Sequence, residues 1–74
     1  FIKERDSYRC LNPDCRNNTK RLVVHHINYI KKDCDFTNLI TLCASCNSRA
    51  NVDREWHELW YKTIINRRYQ AKHV

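Results

Sequence analysis

Residues 25–51 of this chain (HHINYIKKDCDFTNLITLCASCNSRAN) hold side chains suited to two kinds of metal chemistry. Adjacent imidazoles at His25 and His26 can divide a hydrolytic task, one turned to a metal ion and the other to a water molecule. An asparagine carbonyl oxygen, such as that of Asn47, suits a hard ion such as Mg²⁺ or Mn²⁺. Together these groups could meet the needs of phosphodiester cleavage: an activated water, positive charge on the phosphoryl oxygens and help for the departing 3′ oxygen.

The cysteines point to a different metal. Structural zinc takes four thiolate or imidazole ligands in a tetrahedron, commonly as two close pairs from separated parts of a chain. Cys10-x4-Cys15 and Cys43-x2-Cys46 fit that scheme. Bridging them would tie an N-terminal knuckle to the start of the C-terminal helical region. A competing set takes His25 or His26 with Cys43 and Cys46, or recruits Cys34; it leaves Cys10 and Cys15 without a role and ranks lower. Cys34 makes the cysteine count odd and reads as an ordinary loop or semi-buried thiol. Zinc in a reducing cytoplasm is therefore expected over a disulfide framework.

Positioning these groups falls to 74 residues, enough for one small domain whose core needs a staple. The CLNPDC run turns the chain so that Cys10 and Cys15 face one centre. Residues 21–29 (RLVVHHINY) read as a strand, with Leu22 and Val24 on one face and Val23 and His25 on the other. His25 and His26 then face opposite ways unless the strand ends or bulges there. Residues 30–37 form a loop, 38–42 a second strand, and 45–50 a short helix.

Residues 1–6 read as the end of a helix with Phe1 and Ile2 inward. A longer amphipathic helix is expected over about 53–72, with Trp56, Leu59, Trp60 and Ile64 on its core face and Tyr61, Ile65 and Tyr69 as a flanking stripe. The chain has no glycine, and Pro13 is its only proline. Turns with positive φ are accordingly expected at Asn or Asp.

Fourteen Lys and Arg against eight Asp and Glu give a formal charge of +6, which favours a polyanionic partner. Charge alone describes a merely basic domain equally well. Arg67 and Arg68 could reach phosphate from the last turns of the long helix. No apolar run approaches the length that spans a bilayer, so no membrane role is expected.

The runs LVVHHI, NLITLC and CNSRAN resemble the HNH endonucleases of the ββα-metal fold, in the branch with a four-cysteine zinc site. The resemblance covers roughly residues 2–54 and implies a small zinc-stapled α+β domain, with its motif core at about 8–54 and the C-terminal helix appended. It implies that His26 is the general base and that His25 is a ligand of a catalytic Mg²⁺ or Mn²⁺. By the same resemblance Asn38 pins the loop that orients the base, Asn47 is the second metal ligand, and Asn51 sits where some members have a further ligand. Two departures stand out: KKDCDFT replaces a glycine-rich turn, and the final motif residue is Asn rather than His.

The implied activity is metal-dependent hydrolysis of DNA to 5′-phosphate and 3′-hydroxyl ends, by nicking or double-strand cleavage. Lys20, Arg49 and Arg54 are expected to grip neighbouring phosphates. So small a module has little surface for reading bases, so targeting is expected from other domains of a larger nuclease, homing or RNA-guided, in a bacterial or phage setting. Two competing readings remain: a non-catalytic zinc module that binds nucleic acid, and a zinc-stapled protein-interaction domain that uses its aromatic helix.

Overall fold

The computed structural model of the chain describes residues 1–15 and 21–69. In order, its elements are α1 (Ile2–Arg5), β1 (Leu22–His26), a 3-10 turn (Phe36–Asn38), β2 (Leu39–Cys43), α2 (Ala44–Ala50) and α3 (Arg54–Tyr69). β1 and β2 pair antiparallel, with Leu22 opposite Cys43 and His26 opposite Leu39. This is the expected α+β architecture. β1 stops short of the 21–29 span because the chain turns back directly after His26, where the Tyr29 amide donates to the His26 carbonyl.

All five residues of β2 are buried, so this strand shows no half-buried alternation. β1 covers one edge. On the other edge the Thr41 amide donates to Asp6 Oδ2 at 2.9 Å, and the Thr41 carbonyl accepts from the Leu11 amide at 3.0 Å. Backbone groups that would be exposed on a bare strand edge are thus satisfied by irregular chain. Ile40, Leu42 and Cys43 then enter the core with Ile27, Cys46, Ala50, Tyr61 and Ile65.

The long helix is rotated relative to the sequence expectation. Tyr61 and Ile65 are fully buried, Trp60 and Ile64 pack partly against the core, and Trp56 and Leu59 are 52% and 69% exposed. Both stripes are apolar, so hydrophobicity alone does not choose between them. A specific polar contact favours one: the Tyr61 hydroxyl accepts from Asn12 Nδ2 at 3.1 Å, which gives the buried phenol a partner only in this orientation.

Phe1 also departs from expectation. Ile2 turns inward, but Phe1 is 87% exposed and lies against the Phe36 ring at the surface. The main anchor of α1 is polar. The Arg5 guanidinium pairs with the fully buried Asp6 at 2.6 Å and lies over the rings of Phe36 and Tyr69, 4.7 and 4.4 Å from their centroids. The Tyr69 hydroxyl donates to Asp6 Oδ1 at 2.7 Å. Burial would push the Asp6 carboxyl up, but hydrogen bonds from Arg5, Tyr69 and Thr41 outweigh it and hold the group below its ordinary range.

Among the described residues, positive φ falls at Ser7, Tyr8 and Tyr29 (60°, 54° and 63°) rather than at Asn or Asp; Asn17 and Asn18 lie outside them. Residue preference for this region is modest, and tertiary contacts can override it. At Tyr29 those contacts are explicit, because its hydroxyl is hydrogen-bonded to the carbonyl of Ala50.

Candidate functional site

Two sites lie on either side of one residue boundary, between Cys46 and Asn47 in α2. The first is the cysteine cluster. Cys10 and Cys15 come from the N-terminal knuckle, Cys43 ends β2, and Cys46 lies in the first turn of α2. Their four Sγ atoms lie within 4.8 Å of one another, and those of Cys15 and Cys43 are 3.6 Å apart. A tetrahedral site with Zn–S of about 2.3 Å needs sulfur atoms about 3.8 Å apart, so the cluster fits a structural zinc.

Local sequence explains how the knuckle closes. Asn12 Oδ1 accepts from the Asp14 amide at 2.8 Å, and the Cys15 amide donates to the Asn12 carbonyl at 3.0 Å. The Cys46 amide donates to Cys43 Sγ at 3.4 Å. Burial first, and then the neighbouring thiols, push the Cys46 thiol up to about 12, although Arg49 opposes the rise. Four thiols held this close become thiolates together only around a cation. Cys34 is exposed and takes no part in the cluster.

The second site is a cleft of about 320 Å³ lined by Val24, His25, His26, Tyr29, Lys31, Asn47, Asn51 and Arg54. His25 and His26 both reach it because β1 ends at His26. His25 Nδ1 lies 2.9 Å from Asn47 Oδ1. Adjacent ligands of an octahedral ion at about 2.1 Å are separated by about 3 Å, so these two atoms can share one Mg²⁺ or Mn²⁺. Among the described residues no carboxylate lines the cleft.

Burial lowers the pKa of His25; the hydrogen bond with Asn47 opposes this, while His26, His57 and Arg54 reinforce it. A neutral ring that donates Nδ1–H to Asn47 Oδ1 carries its lone pair on Nε2, so Nδ1 must give up that proton before the two atoms can share a cation. His25 Nε2 is buried and has no hydrogen-bond partner among the described residues. The ring packs edge-on against Tyr29 and Tyr61, with centroids 5.0 and 5.9 Å away.

Asn38 does not line the cleft and is bonded instead to the loop that follows β1. Its Oδ1 accepts from the Asn28 amide at 3.0 Å, and its Nδ2 donates to Asn28 Oδ1 at 3.0 Å and to the Asp33 carbonyl at 2.8 Å. The glycine-free loop is thereby closed by an Asn28–Asn38 pair. Asn28 was not singled out from sequence, although an Asn just after the paired histidines is a turn signal. Cys34 Sγ, carried by the same loop, comes within 3.9 Å of His26 Nε2.

The basic residues separate into groups. Arg54 lines the cleft, as does Lys31, which the sequence reading did not select; its position two residues after Tyr29 in a basic loop was the available signal. Arg49 faces away and donates to Cys46 Sγ at 3.3 Å. Arg67 and Arg68 lie exposed in the last turn of α3 and do not line the cleft. Lys20 lies outside the described residues.

Among the described residues no helix is long and apolar enough to cross a membrane. Neither the curated proteins nor the solved structures gave a significant match. The HNH endonuclease model matches residues 8–53. That segment takes in the knuckle, both strands, the cleft residues up to Asn51 and all of α2, and by this match the chain belongs to the HNH endonuclease family.

Proposed function

We propose that the chain is a metal-dependent endonuclease domain that hydrolyses phosphodiester bonds of DNA, leaving 5′-phosphate and 3′-hydroxyl ends. The observation that supports this most is the approach of His25 Nδ1 to Asn47 Oδ1 in a cleft that also holds His26. Mg²⁺ or Mn²⁺ held by His25 and Asn47, with Asn51 beside them, would supply positive charge to the scissile phosphate and the departing 3′ oxygen. His26 takes the proton of the attacking water on its ring nitrogen. Asn38 acts through the loop it fixes, and Arg54 and Lys31 bind phosphate oxygens beside the reacting group. Arg67 and Arg68 would extend that grip outside the cleft.

With one such cleft in the described chain, a single copy nicks; cutting both strands takes a second copy or a second nuclease domain. DNA targeting then comes from other domains of a larger nuclease. The competing reading, a zinc-stapled module that binds nucleic acid without cleaving it, is favoured by one observation: both donor atoms at the cleft are neutral.

Supercoiled plasmid incubated with Mg²⁺ or Mn²⁺ separates the two readings. Nicking is expected with wild type, none with EDTA, and a loss of about 10²-fold or more with His26→Ala. Nicking retained by His26→Ala would remove the assigned base. DNA binding without nicking under either ion would leave the binding module.

A further inference from the structure

Tyr29 is the residue whose conformation the sequence least anticipates, and it touches both halves of the cleft. A bulky side chain at φ 63° is unfavourable unless its surroundings hold it. Three contacts do so. Its hydroxyl donates to the carbonyl of Ala50, the last residue of the helix that carries Asn47. Its ring meets His25 edge to face at 5.0 Å and 83°. The Arg54 guanidinium lies 4.6 Å from its centroid.

An exposed arginine at the start of a helix has many rotamers, and binding phosphate from that ensemble costs conformational entropy. Stacking on an aromatic ring engages the face of the guanidinium and leaves its N–H edges for oxygen acceptors. Arg54 and Tyr29 both line the cleft, so those edges border the space beside His25 and Asn47. We infer that Tyr29 is a positioning residue: it holds Arg54 ready for a DNA phosphate and braces the His25 ring against the α2 terminus. This deepens the endonuclease reading above and rests on it.

A double-mutant cycle on DNA binding, with zinc-loaded protein, EDTA-free buffer and Ca²⁺ in place of Mg²⁺, tests the pairing. Tyr29→Asn removes the ring while suiting the positive φ, and Tyr29→Phe keeps the ring but loses the bond to Ala50. Arg54→Ala and Tyr29→Asn should each weaken binding and lower the salt slope by about 1. The double variant should be no weaker than either single one, and Tyr29→Phe should stay within about twofold of wild type. A structural role alone would not make Tyr29 and Arg54 non-additive in DNA binding.

If Arg54→Ala weakens binding but Tyr29→Asn does not, or if their effects add, this inference fails and the endonuclease reading stands. If wild type binds no DNA, both fail.

Discussion

His25 Nδ1 and Asn47 Oδ1 lie 2.9 Å apart across the junction of β1 and α2, so the strand and the helix each contribute one donor to a single point. The helix donor is neutral, and replacing it with a charged one should strengthen a cation site. Asn47→Asp is expected to bind Mn²⁺ about tenfold more tightly, a gain of about 1.4 kcal/mol. Asn47→Ala should lose Mn²⁺ binding while keeping zinc. Titration of Mn²⁺ by electron paramagnetic resonance measures both; equal affinity in all three proteins would exclude Asn47 as a ligand.

The cysteine cluster should hold a single zinc per chain, released only when the thiols are modified or the chain denatured. Cys46→Ser should lose that zinc and most of the fold's cooperativity. It should also lose cleavage, because Asn47 follows directly on the same helix. Zinc release followed with a chromophoric chelator, beside a nicking assay, reads both effects. A folded and fully active Cys46→Ser would break the coupling.

Asn38→Ala removes three hydrogen bonds from the 28–33 loop. A stability loss of about 1–3 kcal/mol is expected, with zinc content unchanged. Hydrogen exchange should localise the effect, the Asn28 amide becoming the fastest to gain exchange. Unaltered protection there would show that the loop is held by other contacts.

Asp6 sets an acid limit on stability. Its carboxyl is held below the ordinary range in the folded chain, so it stabilises the fold above the unfolded-state pKa. That contribution disappears as pH falls through the lower folded-state value. Asp6→Asn should cost about 3 kcal/mol at neutral pH, since it strips the charge from a buried partner of Arg5. Urea denaturation of wild type and variant across a pH series should show the difference shrinking toward acid. Comparing the two proteins cancels the separate loss of zinc at low pH.

Features that rest on local chemistry were legible in the chain. The two cysteine pairs have turn-compatible spacing, and the Asn12 side chain closes the first turn within the knuckle itself. The end of β1 at His26 resolves how adjacent histidines share a cleft, a possibility the strand period leaves open. What was not legible depends on partners distant in sequence. Tyr61 is buried and Leu59 exposed because of Asn12, 49 residues before Tyr61. Tyr29 occupies the left-handed region because Ala50 and Arg54 hold it there. Arg49, read as a phosphate ligand from charge, also hydrogen-bonds a thiol of the cluster, a contact that charge does not reveal.

The clasp of Arg5, Asp6 and Tyr69 joins groups 63 and 64 residues apart, so the end of α1 and the last turn of α3 are tied side by side. A tie of that span closes most of the described chain into one loop, so breaking it at Asp6 would release α1 and the last turn of α3 together.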